Sequence, residues 1–138
     1  CPMVHIITGL QGSGKTKQLI DSVHEALKNE SGSMVCIEKG HTLRFDLDHR
    51  VRLVDTGEYM LGSYVFLKGF ISGLHAGNFD ITHIFIDNLY KVSHCDDPAQ
   101  TETFLNWCDQ FAQANGVHFT ITIPGDPDNA PGYIAKFL

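Results

Sequence analysis

The 138-residue sequence has no C-x-x-C pair, no H-x-x-x-H pair, no N-K-x-D motif and only three arginines. Each absence closes a route. The four cysteines (Cys1, Cys36, Cys95 and Cys108) are too scattered for a zinc lobe or a dithiol redox site. Cys36 and Cys108 lie inside apolar runs and read as reduced core thiols. No apolar run approaches the ~20 residues of a membrane span. No basic segment leads into an apolar run and a small-residue cleavage site. These absences predict a cytoplasmic protein with no membrane contact. Positive charge is also scarce: 10 Lys+Arg face 16 Asp+Glu, for a net charge of -6. That balance argues against a large nucleic-acid interface, which needs a basic stripe. A small basic patch remains at His41, Arg44, His49, Arg50 and Arg52.

What is present is an ordinary globular composition, 43% hydrophobic and 19% charged, in a length suited to one domain spanning residues 1–138. The hydrophobic pattern alternates between strands and helices. Residues 3–8 are short, apolar and β-branched, as in a buried strand. A glycine-rich turn follows, then a helix with Leu19, Ile20, Val23 and Leu27 on one face that ends before Ser31-Gly32. Residues 34–38 read as a second strand ending in Glu38. Residues 51–54 alternate as a third, with residues 42–45 a possible hairpin partner. Residues 59–75 read as a helix whose face of Met60, Tyr64, Leu67, Ile71 and Leu74 is widened by Val65, Phe66 and Phe70. Such a helix is either enclosed or meets a protein partner or a second copy; enclosure is the expectation. Residues 81–87 form an apolar strand ending in a carboxylate. A helix then opens with Asp97 as N-cap and Pro98 at its first position, and stops at Gly116. Residues 117–123 are the last strand, before a Pro/Gly loop and a short terminal segment. Strands separated by helices of this length require parallel pairing. The expected fold is a three-layer α/β/α sandwich around a mostly parallel sheet of about five strands, the first strand central.

The most informative stretch is GLQGSGKT, residues 9–16, which fits G-x-x-x-x-G-K-[ST] after a strand and before a helix. Glycines let a backbone turn point successive N–H groups inward, where they and the positive end of the next helix hold an anion. Lys15 can reach the β- and γ-phosphates as a point charge, and the Thr16 hydroxyl can join a Mg²⁺ shell. Four fixed positions arise by chance in on the order of one chain in a few hundred, and the strand–helix context lowers that further. Residues 84–87, IFID, resemble a Walker B strand, with Asp87 as the metal-site carboxylate.

On these two motifs the chain resembles the P-loop NTPase superfamily, and as a whole it is similar to a group of small bacterial ATP-binding proteins of uncharacterised role. The resemblance implies ATP and Mg²⁺ as ligands. Gly9, Gln11, Gly12, Ser13, Gly14, Lys15 and Thr16 would line the phosphate site, with Thr16 and Asp87 serving the metal. Without N-K-x-D no guanine reader is visible, so ATP is favoured. Where many ATPases carry a glutamate base after the Walker B aspartate, this chain has Asn88, which can orient water but cannot take its proton. Glu38 is the substitute, since carboxyl ends of parallel strands face the ligand crevice. Its alternative is a solvated strand-end glutamate. The catalytic candidates are therefore Lys15, Glu38 and Asn88, and the expected function is slow or partner-stimulated ATP hydrolysis. Two other readings stand beside it. A nucleoside-type kinase would need an arginine-rich lid, and only Arg44, Arg50 and Arg52 are available. A nucleotide-dependent binding module would suit the weak catalytic set, with Arg50, Arg52 or Lys136 as a possible finger toward a neighbouring subunit.

Elsewhere, residues 94–97 (HCDD) hold metal-capable side chains, but adjacent residues rarely converge on one ion, and Asp97 is better read as a cap. His5, His83 and His118 lie in strand patterns. Asp126 and Asp128 are either turn residues or ligand contacts.

Overall fold

The computed structural model describes residues 3–40, 42–43, 48–59 and 62–138. Among them are five strands: β1 (Val4–Gly9), β2 (Ser33–Glu38), β3 (Val51–Asp55), β4 (Ile81–Ile86) and β5 (His118–Pro124). The helices are α1 (Lys15–Asn29), α2 (Tyr64–Gly77), α3 (Leu89–Ser93), α4 (Pro98–Asn115) and α5 (Gly132–Ala135). The strands form one sheet in the order β1-β5-β4-β2-β3, and every pairing is parallel. All carboxyl ends therefore share one edge of the sheet.

The expectation of a central first strand is corrected: β1 lies at the edge, and β5 separates it from β4. Burial explains the placement. β5 is buried from Phe119 through Ile123, as a strand covered on both faces must be, whereas β1 exposes His5 and half-exposes Thr8. The chain's last turn covers part of the β1 edge, where the Ile6 N–H donates to the Phe137 carbonyl at 2.8 Å.

Alternating residues sort into two cores. Met34, Cys36 and Phe85 pack with Leu19, Val23 and Ala26 of α1. Val35, Ile37, Ile84 and Ile86 pack with the apolar residues of α2, α3 and α4. Neighbours along a strand point to opposite faces, so helices cover both sides of the sheet. Cys36 and Cys108 are free and buried.

α1 follows its sequence pattern, with Leu19, Val23 and Ala26 as the buried stripe. α4 opens with the Asp97 side chain accepting from the Gln100 N–H at 3.0 Å and stops at Gly116, whose φ of 66° favours glycine. α2 starts later than its hydrophobic pattern suggested. Ser63 caps it, accepting from the Phe66 N–H at 3.3 Å, and Tyr59 instead closes a short 3₁₀ turn over Thr56–Glu58. Met60 lies outside the described residues. Enclosure of this helix is also corrected: Tyr64, Leu67 and Ile71 are buried, but Val65 is 75% and Phe66 63% exposed. Of the suggested hairpin, Arg44 and Phe45 lie outside the described residues. Thr42 and Leu43 are in a turn, and β3 pairs with β2 in parallel. Among the described residues no helix is long and apolar enough to cross a membrane.

Candidate functional site

The glycine-rich loop leaves the carboxyl end of β1 and opens α1. Gly12 and Gly14 have φ of 79° and 86°, in the left-handed region that penalises a side chain. Gly9 is set by its neighbour instead: a Cβ there would displace the Ser13 side chain. The loop is closed by the Ser13 N–H donating to Leu10 O at 3.0 Å, while Gln11 and Ser13 lie exposed on it. The N-cap of α1 is Gly14, which has no side chain to accept from the first-turn N–H groups, and that turn holds no acidic residue. The positive helix end is thus left for an outside anion. Lys15 folds back over the loop, its Nζ donating to the Leu10 carbonyl at 2.9 Å. The last strand braces the loop. The Gly125 N–H donates to Gly9 O at 3.1 Å, and Thr8 Oγ1 donates to Ile123 O at 2.8 Å.

Asp87 follows β4 directly, and its N–H donates to Ile37 O on β2 at 2.9 Å. Its two carboxylate oxygens have different partners. Thr16 Oγ1 donates to Oδ2 at 3.4 Å, and Thr122 Oγ1 of β5 donates to Oδ1 at 2.8 Å. The structure therefore brings Thr16 and Asp87, 71 residues apart in sequence, into contact. Burial raises the Asp87 pKa above the usual carboxylate range, and the negative charge of Glu38 adds to this. The Thr122 and Thr16 hydroxyls and the Lys15 charge oppose it.

Glu38 ends β2, the strand beside β4, and is only 5% exposed, so it is not a solvated strand-end residue. Oε2 accepts from Thr42 Oγ1 at 2.8 Å and Oε1 from the Leu43 N–H at 3.1 Å. Two carboxylates thus stand on adjacent strand ends, and their charges join burial in pushing the Cys36 thiol far above its ordinary pKa. A cavity of about 400 Å³ beside β3 reaches Glu38, but Asp55 and Glu58 also line it, a charge unsuited to phosphate.

Asn88 has a left-handed backbone (φ 58°), and its side-chain oxygen accepts from the Lys91 N–H at 3.3 Å to cap α3. Its amide is therefore used in helix entry. The residue that sequence reasoning missed is Thr122, which holds both Asp87 and the Asn88 backbone. The available signal was a pair of threonines, Thr120 and Thr122, alternating with apolar residues in β5, of which Thr122 lies nearer the carboxyl end.

Other candidates are accounted for inside the fold. Arg50 grips the end of α1, donating to the carbonyls of Leu27 (3.1 Å) and Glu30 (3.0 Å), at the sheet edge opposite the loop. Arg52 is exposed on β3, His41 and Arg44 lie outside the described residues, and Lys136 donates to Asn106 Oδ1 at 3.1 Å. Asp126 caps a turn, accepting from the Asp128 N–H at 2.9 Å and Asn129 Nδ2 at 2.7 Å. His83 is buried between Glu30 and Thr120, with 2.8 Å contacts at both ring nitrogens. Among the described residues no group of three or more His, Cys, Asp or Glu side chains is arranged to hold a metal. Comparison with known proteins adds no relative to this geometry: no protein-family model matches the chain and no curated protein is detectably similar.

Proposed function

We propose that this chain is an ATP-binding protein of the P-loop type, a three-layer α/β/α domain acting in the cytoplasm, that hydrolyses ATP slowly or when a partner stimulates it. The observation that carries the reading is the juxtaposition of the Gly9–Thr16 loop with the Thr16–Asp87 pair. The loop N–H groups, the α1 N-terminus and Lys15 suit a polyphosphate. Lys15 would exchange its bond to the Leu10 carbonyl for phosphate oxygens. Thr16 and Asp87 would hold Mg²⁺. Their oxygens are 3.4 Å apart, near the ~3 Å edge of an octahedron with metal–oxygen distances of about 2.1 Å. One carboxylate, one hydroxyl and the substrate's phosphates are the donor set magnesium favours, so three protein carboxylates or imidazoles are not required. Bound there, Mg²⁺ supplies charge neutralisation for the transferring phosphoryl group. Three free cysteines, Cys36, Cys95 and Cys108, suit a reducing compartment.

Glu38 is the residue we assign as general base. Glu38 is the carboxylate on the strand end beside Asp87, and each of its oxygens, held by Thr42 or Leu43, keeps a second lone pair for a water proton, which the Asn88 amide cannot take. Calorimetry with a non-hydrolysable ATP analogue, and turnover of ATP, test the proposal together. Wild type should bind the analogue with magnesium. Glu38→Gln should retain binding while losing about 100-fold or more in turnover. A folded wild-type protein with no affinity for the analogue at millimolar concentration refutes the function, and full turnover in Glu38→Gln refutes the base.

The exposure of Val65 and Phe66 favours a second reading, a nucleotide-dependent binding module that meets a protein partner or a second copy through α2. Light scattering with ATP, with ADP and without nucleotide tests it; a mass indifferent to nucleotide counts against it.

A further inference from the structure

We propose that Thr122 is the positioning residue of the magnesium site, its hydroxyl selecting which oxygen of Asp87 is presented to Thr16. The inference rests on the reading of Asp87 as a magnesium carboxylate. It follows from the direction of one proton. The Asn88 backbone N–H stands 2.7 Å from Thr122 Oγ1. A backbone N–H can only donate, so the hydroxyl accepts there. The hydroxyl has a single proton, and its other partner is Asp87 Oδ1 at 2.8 Å. The proton therefore lies on the Oδ1 side, and Oδ2 is the oxygen left facing Thr16 Oγ1.

The surrounding backbone enforces the arrangement. The Asp87 N–H is held by Ile37 O on one neighbouring strand, and the Asn88 N–H by Thr122 on the other. The left-handed backbone of Asn88 turns the chain out of β4 immediately after the carboxylate. Thr122 is 1% exposed, so its hydroxyl would be costly to bury without these two partners. Thr120, two residues earlier on the same face, serves His83 instead. The hydroxyl at 122 is thus the one that β5 offers to Asp87. Partners that orient a metal ligand without touching the metal commonly control affinity.

The test is calorimetry of the full chain with adenylyl imidodiphosphate, with and without magnesium chloride, on wild type, Asp87→Asn, Thr122→Val and Thr122→Ser. Thr122→Val keeps the shape and removes the hydroxyl. It should weaken the magnesium-dependent part of binding about tenfold or more, and leave metal-free binding unchanged. Thr122→Ser should behave as wild type. The inference is overturned by wild-type magnesium dependence in Thr122→Val, by equal losses with and without magnesium, or by equal losses in the Val and Ser variants. It is also overturned if Thr122→Val and Thr122→Ala both fail to fold while Thr122→Ser is native, since the hydroxyl would then serve the fold. The two proposals fail separately. Magnesium dependence that is missing in wild type, or that survives Asp87→Asn, removes the metal reading and this inference with it. Dependence lost in Asp87→Asn but kept in Thr122→Val removes this inference alone.

Discussion

The two edges of the sheet carry polar clusters of similar richness that behave in opposite ways. At the amino edge, Arg50 spends its guanidinium on the carbonyls that end α1, and His83 uses both ring nitrogens, on Glu30 and Thr120. Its donors are paired within the fold, while Glu30 Oε1 and Thr82 Oγ1 are buried there without a partner. At the carboxyl edge the helix start has a glycine cap, the Lys15 ammonium rests on one carbonyl, and Asp87 is half-buried within the field of a second carboxylate. Donors concentrated there have few internal acceptors. Donors paired within the fold hold it together, while donors left under-satisfied at a strand edge are suited to an anionic ligand.

Paired substitutions should break this comparison if it is wrong. Lys15→Ala is expected to have the largest effect. It removes charge-assisted contacts worth about 2–3 kcal/mol, a loss of roughly 30- to 150-fold in nucleotide affinity, with the melting temperature unchanged. Calorimetric binding that survives intact contradicts the loop assignment. Arg50→Ala should do the reverse, costing about 1–2 kcal/mol of stability in urea unfolding while nucleotide affinity is retained. An affinity loss in this variant would blur the distinction between the edges.

Charge sharpens the contrast further. Burial raises the Asp87 pKa, so the folded protein binds that proton more tightly than the unfolded chain does. The associated stability is present below the ordinary carboxylate pKa of about 4 and lost as pH rises through the folded value. Above the folded value and without metal, the Asp87 charge therefore opposes folding, and Asp87→Asn should melt higher than wild type there. A lower melting temperature would mean that the carboxylate supports the fold. His83 is the smallest and opposite case. Burial lowers its pKa, outweighing the Glu30 carboxylate, with His118 and His5 contributing in the same direction as burial. Its stability is present above the ordinary histidine value of about 6.5 and lost as pH falls through the folded one. Melting curves should show this acid-side loss in wild type and a shallower one in His83→Gln. Identical pH profiles would remove His83 from the account.

Local chemistry was the legible part. The loop's conformation is written in Gly12 and Gly14, and α4 in Asp97, Pro98 and Gly116, because each depends on backbone preferences within a few residues. The start of α2 was less legible, since its apolar spacing runs back in sequence beyond Ser63, the N-cap at which the helix begins. Glu38 could be named from its place at a strand end, but its burial depends on Thr42 and Leu43 folding back over it. The sequence did not separate Thr122 from Thr120 on the same strand, because the partners of Thr122, Asp87 and Asn88, follow β4 more than thirty positions away.

Residue order was enough to establish strand–helix alternation, the glycine-rich turn between β1 and α1 and the candidate pair of Thr16 and Asp87, because steric limits and hydrophobic periodicity act over one or two turns of chain. Folding in three dimensions settled the strand order, the edge position of β1, the burial of Glu38 and the hold of Thr122 on Asp87. Those depend on which strands become neighbours, a choice made by the packing of two whole sheet faces rather than by any short stretch of sequence.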